Sequence, residues 1–291
     1  MEGIGPPLVT PFDADGDVDH DRLRELVAWL EARGVDFLVP CGSNGEAELL
    51  GAAERAAVVE TVAEAASVPV LAGTGRPGTR KTVEATAAAA EAGADAALVV
   101  TPFYYRHDQA ALAAHYRTVA DAASIPVYLY SVPSYTDVRL APETVGELAG
   151  HPNVAGMKDS SGDVDAFVRT RRATADESFD LLVGSGGVLA QALSAGGDGG
   201  VLALANVAPA ATAAVYDAFA AGDAERARAL NADLVALNRA VTAEFGVPGL
   251  KKAMRARGAP AGHARSPHRP PDEAATERLM ALLEAAGLDD R

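Results

Sequence analysis

The sequence predicts an α/β fold, a (β/α)8 TIM barrel over residues 1–221 followed by a C-terminal helical extension over 222–291. Three observations carry that expectation. Short apolar runs recur at intervals of about 25 to 35 residues, each closing in Gly, Ser, Thr or Pro and each followed by a helical pattern. Eight such units are complete by Ala221, after which no strand signal returns. At 291 residues the chain has the length of one barrel with a small appendage.

The elements follow in order. The apolar runs are Pro7–Thr10, Asp36–Pro40, Val70–Gly73, Ala96–Val100, Ile125–Tyr130, Val154–Lys158, Phe179–Val183 and Gly200–Leu204. Helical patterns follow them at 19–33, 52–66, 79–92, 109–123, 142–149, 164–174, 188–195 and 209–221. The first shows the reason: Leu23, Leu26, Val27 and Leu30 recur at helical spacing on one stripe. In the extension, 224–245, 248–257 and 273–286 read as helices. Asp223 caps the first, Pro248 suits the first turn of the second, and the Pro-rich stretch 266–271 separates the last two.

Composition narrows the partners. With 40 acidic against 25 basic residues the net charge is −15, which disfavours nucleic acid or an anionic membrane surface. The single cysteine, Cys41, permits no intrachain disulfide and fits a reducing compartment. Met1–Pro7 lacks the pattern of a signal peptide, and no run reaches the roughly 18 apolar residues of a membrane span, so a cytoplasmic protein is expected. Lysine occurs only at 81, 158, 251 and 252. A lysine-poor acidic surface suits a salt-loaded cytoplasm; a melting curve that fell with added KCl would exclude halophily.

Active sites of such barrels lie at the C-terminal strand ends. Gathered there are Thr10, Gly42-Ser43-Asn44-Gly45-Glu46, Gly73-Thr74-Gly75, Tyr104, Tyr105, Tyr130, Lys158, Gly184-Ser185-Gly186 and Asn206. None of the six histidines stands at a strand end, so neither a metal centre nor a Ser-His-Asp triad is expected. Lys158 follows an apolar run, whereas Lys81 and the Lys251-Lys252 doublet read as polar surface. Burial favours the neutral amine, a nucleophile able to form a Schiff base with a carbonyl substrate. A phenol such as Tyr130 both donates and accepts at one oxygen and suits a proton relay. Ser43, Asn44 and the amides of Gly42–Gly45 suit a carboxylate. Each position also has a structural alternative: a lysine paired with Asp159 or reaching solvent, a tyrosine capping the core, a glycine turn into a helix. Their joint placement on one rim favours chemistry. Gly73-Thr74-Gly75-Arg76-Pro77-Gly78 matches the dinucleotide fingerprint, which leaves an NAD(P)-dependent oxidoreductase as a rival, but no strand-end acid follows at the expected distance.

Four stretches, Gly42–Glu46, Thr101–Tyr105, Tyr128–Pro133 and Val154–Gly162, together resemble the dihydrodipicolinate synthase / N-acetylneuraminate lyase family. The resemblance implies a pyruvate-dependent class I aldolase, commonly a homotetramer, with no cofactor beyond the covalent Schiff base. It implies that Lys158 carries pyruvate, that Tyr130 relays protons, that Ser43 and Asn44 hold the carboxylate, and that Tyr104 reaches a neighbouring subunit's site. Thr10, Gly42, Gly45, Gly184, Ser185 and Leu202 would line the pocket. Where the synthases carry an arginine for aspartate semialdehyde, this chain has Tyr135, with Arg139 four residues on. A phenol supplies no such charge. Tyr104-Tyr105-Arg106 looks more like archaeal 2-keto-3-deoxygluconate aldolases, with Arg106 placed for a distal phosphate or hydroxyl. The expectation is therefore an aldolase of 2-keto-3-deoxy sugar acids, with dihydrodipicolinate synthase as the alternative.

Overall fold

The computed structural model describes residues 1–288. Seven strands form one parallel sheet: β1 (Gly3–Gly5), β2 (Leu71–Gly73), β3 (Ala96–Val100), β4 (Val127–Ser131), β5 (Val154–Asp159), β6 (Asp180–Val183) and β7 (Gly199–Val201), in the order β1-β7-β6-β5-β4-β3-β2. The segment 36–40 joins the two edges. Asp36 N donates to Ile4 O and Val39 N to Pro6 O on one side, and Leu71 N donates to Leu38 O on the other. The sheet thus curls into a TIM-barrel-like α/β fold, with helices outside it and the C-terminal helices packed on the end.

Strand periodicity sorts the side chains. On β3, Leu98 points into the barrel and Val99 toward the helices; on β4, Tyr128 and Tyr130 point inward and Leu129 outward. Each outward Val or Leu stabilises the fold by about 1.5–3 kcal/mol on burial. The same alternation on β5 sends Met157 outward and Lys158 into the barrel.

Three strand expectations need correction. The expected second strand, 36–40, is no strand and closes the sheet only through isolated bridges at Leu38 and Val39. The first strand is Gly3–Gly5 rather than Pro7–Thr10; glycines have little strand preference, and this segment is held by pairing with β7, Gly3 opposite Gly199 and Gly5 opposite Val201. Pro7 keeps a single bridge to Val39. The last strand is Gly199–Val201, and Leu204–Val207 is already a helical turn. In the extension the first helix runs Ala224–Arg239 and passes into a π-helical turn, Ala240–Glu244, before the helix Gly246–Ala256. The end of the expected extension, 289–291, lies outside the described residues.

Candidate active site

Lys158 and Tyr130 are opposite one another in the β4–β5 register, both on the inward face at the C-terminal ends of their strands. Lys158 is 5% exposed. Its Nζ lies 4.2 Å from the centroid of the Tyr130 ring. Among the described residues it has no hydrogen bond or ion pair. Asp159 does not pair with it, because adjacent strand residues face opposite ways: the Asp159 carboxylate accepts from Ser161 N at 2.8 Å. Burial raises the Asp159 carboxyl above its ordinary value.

A cavity of about 400 Å³ opens over Lys158. Ser43, Asn44, Tyr130, Tyr135, Gly184 and Ser185 line it. Gly184 is needed there for space: a Cβ would stand 1.8 Å from Ser160 Oγ and 3.0 Å from Lys158 Cε. The wall also holds groups that sequence reasoning missed, Ser160 on the Lys158 loop and Asn238 and Thr242 from the extension. Thr242 sits in the π-helical turn, and such turns recur at functional sites. A second cavity of about 310 Å³ adjoins the first, sharing Ser43, Tyr130, Val132 and Tyr135. Gly42 lines only this one, with Glu48, Arg76 and His268.

Other expected site residues lie elsewhere. Thr10 is buried behind the Ser43–Gly45 turn, its hydroxyl donating to Gly45 O at 2.7 Å. Gly45 N donates to Gly42 O at 3.0 Å, so neither Thr10 nor the Gly45 amide faces the cavity. Leu202 is fully buried, and its neighbours Val201 and Ala203 form the wall instead, again by alternation. Arg106 is exposed and paired with Asp137, outside both cavities. Tyr104 is 85% exposed, with φ of 76°, and touches neither cavity within one chain. Arg139 pairs with Asp163 at 2.5 Å and lines neither cavity.

The Ser43–Gly45 turn is anchored from behind. Cys41 and Glu46, both non-glycine residues, flank it at φ of 56° and 54°, a conformation that costs free energy unless the surroundings impose it. The Glu46 carboxylate supplies the hold. It accepts from Lys251 Nζ, from Arg265 N at 2.8 Å and from His268 Nδ1 at 3.0 Å. Lys251 is 0% exposed and also donates to Thr10 O and His263 O, both at 2.6 Å. The sequence places the doublet on a polar surface; instead Lys251 lies on the buried side of its helix with Leu250 and Met254. Burial pulls the Lys251 ammonium down to about 8, against the pull of Glu46.

The dinucleotide fingerprint has a packing explanation. A Cβ on Gly73 would meet Cys41 O at 2.1 Å, and one on Gly75 would meet Val100 N at 2.5 Å, so both glycines serve close strand approach.

The family pattern of the Dihydrodipicolinate synthetase family matches residues 1–286. The chain belongs to that family. Its members are pyruvate-dependent lyases, and this chain is one. A 4-hydroxy-tetrahydrodipicolinate synthase of Haloarcula marismortui is 40% identical, the match covering 100% of this chain and 96% of that one. An uncharacterized DapA-like lyase of Halobacterium salinarum is 41% identical over 99% of this chain and 95% of its own. Among solved structures, a prophage protein of the family from E. coli, in complex with pyruvate, superposes with a TM-score of 0.94 at 33% identity, covering 99% of both chains. No helix among the described residues is long and apolar enough to cross a membrane.

Proposed function

We propose that this dihydrodipicolinate synthetase family enzyme binds pyruvate as a Schiff base on Lys158 and joins its enamine to an aldehyde, with aspartate semialdehyde as the acceptor. The observation that carries the reading is the buried, unpaired Lys158 beside Tyr130 in a cavity bordered by Ser43 and Asn44. Nζ attacks the pyruvate C2 carbonyl to give a carbinolamine. Tyr130 donates a proton to the departing water, leaving a protonated imine. That imine acidifies C3, whose proton passes to the Tyr130 phenolate left by the previous step, and the resulting enamine carbon forms the new bond to the aldehyde carbon. The aldehyde oxygen takes up the proton that Tyr130 relays, and hydrolysis of the imine frees Lys158. Ser43 and Asn44 hold the pyruvate carboxylate. No cofactor is needed, because the imine itself accepts the electrons. Tyr104 joins the site from a second copy of the chain, for which a homotetramer is the expected assembly.

The acceptor follows the names of the relatives, seven of which, at 36–40% identity, are 4-hydroxy-tetrahydrodipicolinate synthases. This moves the balance away from the sugar-acid cleavage expected from sequence. One observation keeps that second reading: Tyr135 faces both cavities where the synthases carry arginine, and Arg139 is held by Asp163. The test is borohydride reduction with pyruvate, read by peptide mass, followed by assays with aspartate semialdehyde and with 2-keto-3-deoxygluconate. A reduced adduct on Lys158 and turnover of aspartate semialdehyde are expected. An unmodified Lys158 would refute the mechanism; pyruvate release from the sugar acid alone would exchange the acceptor and keep the mechanism.

A further inference from the structure

The cavity beside the Lys158 site has a charged wall that the reaction has not yet used. Arg76, in the loop after β2, is 5% exposed and lines this cavity. Its Nη1 donates to Glu48, while Nε and Nη2 are closed off from solvent and have no acceptor among the described residues. A guanidinium carries five N–H donors in a fixed fork, and leaving buried donors unpaired costs free energy. Glu48, the one side-chain acceptor that Arg76 has among the described residues, is about half exposed: its side chain is at 55% of full accessibility. It can leave for water at little cost, whereas Arg76 cannot.

The neighbouring residues show where a ligand would come from. Ser43, Tyr130, Val132 and Tyr135 border both this cavity and the one over Lys158, so a molecule reacting at Lys158 can extend its far end toward Arg76. Arg106 and Arg139, the arginines expected to serve that far end, stand outside both cavities, paired with Asp137 and Asp163. Arg76 is the arginine on the cavity wall.

We propose that Arg76 is the subsite for an acidic group, carboxylate or phosphate, at the far end of the aldehyde, and that Glu48 occupies its place until the ligand's anion exchanges for it. Both acids present paired oxygens that match a guanidinium fork. Once Glu48 swings out, Nη1 is left without an acceptor and takes the incoming anion. The subsite supplies the charge that Tyr135 lacks, and it makes Arg76 a specificity-determining residue. The inference rests on the reading that Lys158 holds pyruvate, and the test separates the two.

Calorimetry uses three unreactive probes of the aldehyde's far end: 4-hydroxybutyrate for a carboxylate, glycerol 3-phosphate for a phosphate and glycerol for neither. Arg76→Gln should weaken whichever acid binds by about tenfold or more, as loss of a charge-assisted hydrogen bond does. Glu48→Gln should tighten the same acid, because it removes the competing carboxylate, and glycerol should respond to neither change. The stronger probe in the native enzyme tells which acid the subsite takes. Arg76→Lys keeps the charge without the fork and should fall between; it also guards against misfolding of the glutamine variant. With turnover, Arg76→Gln should raise KM for the charged aldehyde and leave kcat and borohydride labelling of Lys158 by pyruvate unchanged. Acid binding unaltered in Arg76→Gln, or weakened equally by Glu48→Gln, would overturn the proposal. Failure of pyruvate to label Lys158 in the native enzyme, with Arg76-dependent acid binding intact, would instead overturn the aldolase reading and leave the anion subsite standing.

Discussion

Replacing Lys251 by methionine tests whether the C-terminal extension holds the active-site turn. The substitution keeps the side-chain length and removes the ammonium. Lys251 and Glu46 side chains are both 0% exposed, so Glu46 would be left as a buried carboxylate with Arg265 N and His268 as its donors among the described residues. Removing one partner of a buried ion pair costs about 3–5 kcal/mol. Thr10 O and His263 O would also lose the donor they share. In a chain of this size each kcal/mol moves the melting midpoint by about 2–4 °C, so a fall of roughly 6–20 °C is expected in differential scanning calorimetry. The double variant Lys251→Met with Glu46→Gln removes both charges and should recover part of that loss, by about 0.5–3 kcal/mol. Because Glu46 also closes the Ser43–Gly45 turn in its left-handed conformation, Lys251→Met should raise KM for pyruvate at temperatures where the variant remains folded. A midpoint within about 1 kcal/mol of native stability, roughly 2–4 °C, would refute the reasoning, as would a double variant no more stable than the single one.

Three further outcomes follow from the geometry. Gly184→Ala drives a methyl group against Ser160 Oγ and Lys158 Cε, so pyruvate turnover should collapse, with a stability loss of about 1–3 kcal/mol by calorimetry; near-native kcat would mean that the loop yields freely. Burial lowers His115 to about 4, so its imidazole is neutral when folded and takes up a proton on unfolding. Its contribution is then complete above the ordinary value of 6.5 and is lost as pH falls toward 4; denaturation curves of His115→Gln should lack that loss, and an unchanged acid limb would refute it. If Tyr104 completes a neighbouring copy's site, Tyr104→Phe should lower kcat by about a hundredfold or more, and native activity per chain should fall on dilution below the assembly's dissociation constant. Constant specific activity down to single chains, measured by mass photometry, would exclude that role.

What the sequence determined by itself is whatever depends on neighbours within a few turns of chain. Apolar periodicity located β3, β5 and the helices Gln109–Ala122 and Pro142–Ala149 to within a residue or two, because period and capping are local properties. The rhythm of strand and helix led to the barrel, and strand-end position brought Lys158, Tyr130, Ser43 and Gly184 to one cavity. Tertiary structure decided what local pattern does not encode. Gly3–Gly5 is a strand only because β7, nearly two hundred residues away, pairs with it. Thr10 and Leu202 belong to strand-end segments yet face away from the cavity, since a shift of one residue reverses a side chain's direction. Asn238 and Thr242 reach the wall because a helix of the extension crosses the barrel mouth. Lys251 and Lys252 are adjacent in a charged doublet, and only packing shows that the first is buried against Glu46. Arg76 stands within a glycine-rich loop whose sequence suggests a nucleotide, and it acquires its meaning from the cavity that folding builds beside it. In each case the deciding contact spans tens to hundreds of residues, and only the folded chain brings its two ends together.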